Sequence, residues 1–157
     1  IFCGPGIQAG IVNSNPVSAL DILPTITEAV GYNVPIQMRG NSLFKVLNGE
    51  AGTKSSDFAF CEYHGAGFDS SSFMVRFGAL KLIECVGYRP MLFNLLDDPY
   101  ELNDLIGSEA HAEIKQRLSR ELDQWMQSQG DPGSAQDTQE ALSAARKGKH
   151  LYVSPPR

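Results

Sequence analysis

A chain of 157 residues, 42% of them hydrophobic, has the length of one ordinary domain and enough apolar material for a packed core, which argues against wholesale disorder. No apolar run reaches the roughly 18 residues of a membrane span, and a net charge of −5 argues against a basic surface for nucleic acid. The chain opens on Ile1-Phe2-Cys3-Gly4, with neither Met nor the pattern of a signal peptide, and so reads as a piece of something longer.

Around Pro5 the segment Gly4 to Gly10 is glycine-rich. It lacks the Lys and Ser/Thr of a phosphate loop and does not read GxGxxG, so its glycines are assigned to turns. Ser18 and Asp21 form a capping-box pair, with Val17 and Ile22 at staple positions. Leu20, Leu23, Ile26 and Val30 recur at helical spacing, and Gly31 supplies the stop. A helix is expected from about Ser18 to Val30, irregular at Pro24. A short helix over Asn41 to Leu47 follows, with Leu43, Phe44 and Leu47 inward and Asn48-Gly49 as its end. Gly49 to Ser56 reads as a polar loop.

Strands are expected at Phe58–Tyr63, Ser72–Phe77, Leu80–Val86 and Met91–Leu95. Phe77-Gly78-Ala79 makes a hairpin link, and short links throughout imply an antiparallel sheet. Phe73, Val75 and Phe77 share one face, Met74 and Arg76 the other. Asp98, Pro99 and Glu101 together resemble a helix start, with Leu102 and Leu105 inward. A long helix from about Ser108 to Gln129 carries Ile114, Leu118, Leu122 and Met126 on one stripe, widened by Trp125. Beyond Gly130-Asp131-Pro132 the tail is polar, with a weak helix over Thr138 to Lys147.

Candidate chemistry is sparse. Three cysteines are an odd count at wide spacing, so no disulfide framework is read. Cys61 and Cys85 lie in apolar runs and are expected to be buried; Cys3 has nothing beside it to activate a thiol. Unpaired thiols lean toward a reducing compartment. His111 is expected on a helix surface and His150 in the tail, neither at metal-ligand spacing. Asp97 and Asp98 are adjacent and therefore divergent. Arg76 and Lys81 sit on the two hairpin arms and could together bind an anion, though a solvated sheet face is the plainer reading. His64 stands apart. It follows a strand and precedes Gly65-Ala66-Gly67, where a sheet fixes position and a loop gives access, and Glu62 shares its face. These observations describe an α+β domain with one site candidate and no complete catalytic set.

Several segments, in this order, resemble the later part of the sulfatase family: Pro5-Gly6-Ile7-x-x-Gly10, Pro16 through Thr25, Ala29-Val30-Gly31 and Arg39-Gly40-Asn41-Ser42-Leu43. Met74-Val75-Arg76-x-Gly78-x-x-Lys81-Leu82-Ile83 resembles the family's hairpin. Leu92-Phe93-Asn94-Leu95-x-x-Asp98-Pro99-x-Glu101-x-x-Asp104-Leu105 resembles its motif before the final helix. The run Cys61 to Gly67 is similar to the branch of choline-sulfatase-like enzymes and related hydrolases.

The resemblance implies an α/β fold of the alkaline-phosphatase type. Residues 1–50 would be the end of its large domain, 51–130 a C-terminal subdomain with a small antiparallel sheet packed on a long helix, and 131–157 a polar tail. It also implies a formylglycine made from Cys or Ser in a C-x-P-S-R type motif, and a calcium ion. That motif is absent here, since Cys3 is followed by Gly4-Pro5-Gly6. The family's metal ligands and sulfate-contacting Lys and His would lie upstream. The expectation is therefore a C-terminal part of a sulfatase acting on a sulfate ester, with no catalytic and no metal-binding residue of its own. It would be inactive alone and partnered by the N-terminal domain that it lacks. His64 is the one residue carried over to the pocket, touching substrate or acting as acid or base near the leaving group. Leu20, Leu23 and Ile26 should then pack mostly against that missing domain. The alternatives are a phosphonate or phosphodiester hydrolase of the same superfamily, and a free-standing non-catalytic α+β binding module.

Overall fold

The structure, a computed structural model, describes residues 1–50, 56–64, 70–129 and 132–149. The expected polar loop after Gly49 lies largely outside them, as do the glycines after His64, and His150. Two compact units are present, Ile1–Ala59 and Phe60–Arg157.

The first unit is built on a polar knot. Ser18 and Asp21 form the capping box around a single 3₁₀ turn, Ala19–Asp21, and helix α1 (Ile22–Ala29) follows. Pro24 is accommodated because it falls in the first turn of α1, where its missing N–H would have had no helical acceptor. The buried Asp21 carboxylate accepts from Ser18 N–H and from Asn41 N–H, both at 2.8 Å. The buried Thr25 hydroxyl donates to the Asp21 carbonyl and accepts from Leu43 N–H at 2.9 Å. Side chains thus tie α1 to the segment before α2 (Phe44–Leu47). The chains approach so closely that a Cβ on Gly40 would stand 2.0 Å from the Leu20 carbonyl oxygen. Gly31, at φ +85°, ends α1 with the two reverse hydrogen bonds of a Schellman motif, Gly31 N–H to Glu28 and Tyr32 N–H to Thr27. In α2, Leu43 is buried just before the helix while Phe44 and Leu47 are only half-buried.

Helix α1 is inside-out within this unit. Pro24 and Thr25 are buried, whereas Leu20, Ile22, Leu23, Ile26 and Val30 are exposed. The apolar stripe anticipated from spacing exists, and the first unit leaves it largely exposed.

The second unit holds most of a four-stranded sheet in the order β1 (Phe58–Tyr63), β2 (Ser72–Phe77), β3 (Leu80–Cys85), β4 (Met91–Asn94). The strands β2 and β3 form the expected hairpin, with Phe77 opposite Leu80 and Gly78 at φ +56° in the turn. β3 and β4 are also antiparallel, Leu82 opposite Leu92. Phe73, Val75, Leu82 and Leu92 are buried, as are Leu118, Leu122 and Met126 of helix α3 (Ala112–Ser128), which packs on β2 and β3. Full burial of side chains of this size contributes roughly 1.5–3 kcal/mol each before entropy is counted.

Three expectations are corrected. No helix begins at Asp98. Its carboxylate accepts from Asn103 N–H at 2.7 Å, and Glu101 sits at φ +58°, outside any right-handed helix. Asp104 accepts from Leu92 N–H at 3.0 Å and from Ile106 N–H at 2.9 Å, so carboxylates draw this segment into a loop along β4. Ile106 takes the buried place, and Leu102 is exposed. Cys61 is exposed as well. Its neighbour Phe60 stacks on Trp125 at 5.1 Å, which turns Cys61 the other way on an edge strand. Finally, the polar stretch after α3 contains a full helix, α4 (Pro132–Arg146), which buries Leu142 and Ala145.

Candidate functional site

His64 stands where β1 ends, and β2 begins beside it. Ser70 Oγ donates to the Val86 carbonyl at 2.6 Å and Val86 N–H donates to Ser71 O at 3.0 Å, which pins the start of β2 to the end of β3. Ser71 Oγ lies 2.8 Å from His64 Nδ1. On the other side, Nε2 is 3.5 Å from the Glu62 carboxylate, so the two-residue spacing does bring both groups to one face. The hydroxyl on one ring nitrogen and the carboxylate near the other fix the orientation of the imidazole. The ring meets Phe73 edge-on at 5.4 Å, so one side of the imidazole is braced while about half of the side chain stays in solvent. The arrangement is an oriented, accessible imidazole that can donate or accept a proton.

The hairpin cations do not converge on an anion. Arg76 and Lys81 are cross-strand neighbours, but Arg76 Nε donates to the Gly78 carbonyl at 2.9 Å. The Lys81 ammonium is held by both Glu101 oxygens at 2.7 and 2.9 Å. That ion pair offsets the roughly 1 kcal/mol or more that a left-handed non-glycine backbone costs at Glu101. His111 has its Nδ1 2.9 Å from Ser108 Oγ and closes the turn before α3. Asp97 accepts from Asn94 Nδ2 at 2.6 Å. Four backbone N–H groups aimed at Asp98 hold its carboxyl below the usual range, that of Asn103 contributing most, which makes it a loop clasp. Cys3 is exposed.

A second polar centre escaped the sequence. Glu84, 1% exposed, faces α3 from the middle of the sheet. Its carboxylate accepts from Ser119 Oγ at 2.8 Å and from Arg146 Nε at 2.9 and 3.0 Å. Arg146 reaches back from the last turn of α4 and also holds Asp123 at 2.8 and 3.0 Å. Burial alone would lower the Arg146 pKa; the hydrogen bonds to Glu84 and Asp123 outweigh it and drive it up, so the charge is permanent. The signal was faint but present: Glu84 keeps the inward phase of Leu82. This network floors a cleft of about 670 Å³, also lined by Arg89, Lys115 and Arg120.

Residues 3–128 match the family model described as N-sulphoglucosamine sulphohydrolase, C-terminal. The chain belongs to this family of sulphohydrolase C-terminal domains. Arylsulfatase K of Danio rerio is 32% identical over 112 residues, which are 67% of this chain and 21% of that protein. A solved 2-O GAG sulfatase superposes with a TM-score of 0.75 at 29% identity, covering 83% of this chain and 30% of that one. The phosphonate monoester hydrolase SpPMH from Silicibacter pomeroyi superposes less well, with a TM-score of 0.63 at 25% identity over 83% of this chain and 29% of the other. The fold is thus that of the C-terminal portion of alkaline-phosphatase-like sulfatases, and this sulphohydrolase domain spans about a fifth of its curated relative's length.

The calcium that the family resemblance implies finds no ligand set among the described residues. Among the described residues no three His, Cys, Asp or Glu side chains could share an ion. Four carboxylates are already committed: Glu84 and Asp123 to Arg146, Asp98 and Asp104 to backbone N–H groups.

Proposed function

We propose that this chain is the C-terminal part of a sulfatase that hydrolyses sulfate esters, and that it contributes one wall of the substrate pocket. The observation that carries the reading is the family match across residues 3–128. The formylglycine and the calcium ion belong, on this reading, to the preceding part of the polypeptide. The exposed stripe on α1 supports the same reading, because it needs an apolar cover. A phosphonate or phosphodiester hydrolase is the weaker reading, given the poorer superposition with SpPMH.

His64 is the side chain that meets the substrate. Ser71 and Glu62 orient its ring, Phe73 braces it, and about half of the side chain is open to solvent. As the imidazolium, with a proton on each nitrogen, it donates the outer N–H to the ester oxygen and passes that proton to the departing alkoxide, returning to the neutral ring; general acid catalysis of this kind contributes about 10²–10⁴-fold.

The test is turnover of 4-nitrophenyl sulfate and of a phenylphosphonate ester by the chain alone and by a polypeptide extended upstream to the length of its relatives. The chain alone is expected to be silent. The extended protein should prefer the sulfate, and His64→Ala in it should lower kcat/KM at least tenfold, most for poor leaving groups. Preference for the phosphonate ester would overturn the sulfatase reading, and full activity in His64→Ala would remove His64 from the pocket.

A further inference from the structure

Folding adds a third member to the pair legible in the sequence. Glu62 and His64 share a face because they stand two residues apart on one extended segment. Ser71 immediately precedes β2 and comes beside the ring because β1 and β2 are neighbours in the sheet. The three side chains then stand in the order hydroxyl, imidazole, carboxylate. Ser71 Oγ lies 2.8 Å from His64 Nδ1, and Glu62 Oε2 lies 3.5 Å from Nε2, the other ring nitrogen. A hydroxyl within hydrogen-bond reach of a base, with the base oriented by a third group, is the arrangement that activates a nucleophile on many unrelated folds.

The support beneath the three is firm and their outer side is open. The Ser71 carbonyl accepts from Val86 N–H and from Ser70 Oγ, both at 3.0 Å, so the backbone that carries the hydroxyl is pinned to the end of β3. The buried Phe73 ring meets the imidazole edge-on at 5.4 Å. The His64 and Glu62 side chains are about half in solvent, and Ser71 is half-buried. A small molecule can therefore reach the hydroxyl and the ring together. A neutral imidazole has one ring nitrogen free to accept a proton, and either nitrogen can play that part.

We propose that Ser71 is a nucleophile, with His64 as its general base and Glu62 as a positioning residue, and that this chain transfers acyl groups from small activated carboxylic esters. Ser71 Oγ attacks the ester carbonyl carbon while His64 Nδ1 takes the hydroxyl proton. The bond to the leaving oxygen breaks, His64 gives that proton to the departing alcohol, and an acyl group remains on Ser71. Water then attacks the acyl carbon, its proton passing through His64 to Ser71 Oγ, and the carboxylic acid leaves. An ester with a good leaving group asks least of the groups around its carbonyl oxygen, so it is the class that a nucleophile and a base can turn over by themselves. The inference goes beyond the sulfatase reading: it shares His64 with that reading but neither its substrate nor its need for an upstream polypeptide.

The probe is 4-nitrophenyl acetate, mixed rapidly with the purified chain, with mass spectrometry of the quenched protein. A burst of 4-nitrophenol is expected, together with an acetyl group on Ser71. Ser71→Ala and His64→Ala should each slow the burst about a hundredfold or more. Glu62→Gln should slow it about tenfold with the burst amplitude intact, and Glu62→Asp should recover part of the rate, as a positioning carboxylate does. Cys3→Ala and Cys61→Ala remove the exposed thiols and should react as the parent does. Amide spectra report whether each variant is folded; if Ser71→Ala is not, the site of acetylation in the parent decides. Acetylation of a thiol or a lysine in place of Ser71, a burst in folded Ser71→Ala equal to the parent's, or no burst in the parent would each overturn the proposal. Sulfate-ester turnover by the extended protein is a separate measurement, so either reading can fail while the other stands.

Discussion

At the scale of the residue, the second unit depends on a charge that no local pattern announces. Glu84 is a carboxylate at an inward strand position, and its counter-ion lies 62 residues later on α4. A buried carboxylate stripped of its partner cannot be rehydrated, so Arg146→Ala is expected to cost about 3–5 kcal/mol. Replacing both groups by apolar residues, as in Glu84→Leu with Arg146→Met, removes the desolvation cost together with the attraction. The double variant should recover most of the loss, and urea denaturation of the four members of the cycle measures this. Cys85, beside Glu84 in sequence, offers a second test. Burial, and then the neighbouring carboxylate, push its thiol above the ordinary 9.0. A raised folded-state value means that the associated stability is complete below pH 9.0 and is lost as pH climbs through the folded value. Stability should therefore decline above about pH 9 in the parent and less so in Cys85→Ala. A thiol reagent should label Cys3 and Cys61 in the folded chain and reach Cys85 only in denaturant, because only Cys85 is buried.

At the scale of the element, periodicity was a good guide wherever packing alone decides. The strand limits agree with expectation to within a residue, since β2 and β3 alternate cleanly and Gly78 can only be their turn. The pattern Asp98-Pro99-x-Glu101 misleads because a helix cap and an Asx loop ask for the same residue types; Asp104, binding the β4 backbone from twelve residues away, decides for the loop. α4 is hard to read from sequence because, among its described residues, Leu142 and Ala145 are the buried apolar side chains, small for a helix, and polar groups supply further anchorage, Arg146 on Glu84 and Gln139 on the Asp123 carbonyl. For the candidate site, the Glu62–His64 pairing was legible from spacing in an extended chain. Ser71 and Phe73 were not, since the β1–β2 pairing brings them in. In the first unit a single glycine carries a comparable burden. Gly40→Ala would put a methyl group 2.0 Å from the Leu20 oxygen and 2.8 Å from the Asp21 nitrogen, all of it backbone that cannot step aside. The substitution is expected to cost about 1–3 kcal/mol and to pry the 40–43 segment from α1. Amide exchange would show it as lost protection at Asn41 and Leu43, whose N–H groups bond Asp21 and Thr25.

At the scale of the whole molecule, the unusual feature is where apolar surface is left. Leu20, Ile22, Leu23, Ile26 and Val30 are each about half exposed or more, on one helix and the turn before it. Single exposed leucines are ordinary; five on one short element form a patch of the kind that proteins cover. The helix cannot roll to bury them, because Asp21 and Thr25 are locked inward by four hydrogen bonds. The stripe is thus held outward from the first unit by the polar knot, and nothing within that unit can cover it. The chain spans about a fifth of its relative's length, and on the proposed sulfatase reading an upstream part would supply the cover. The isolated chain is therefore expected to bind a hydrophobic dye strongly while keeping a cooperative unfolding transition. Leu23→Lys with Ile26→Glu should cut the dye signal several-fold and leave the transition midpoint within about 0.5 kcal/mol of the parent, as exposed sites do. In a polypeptide extended upstream, the same pair should instead be destabilising by several kcal/mol, since two charges would then enter a sealed apolar interface. Equal tolerance in both settings would mean that the stripe faces water in the whole protein too, and that the first unit is not a docked element at all.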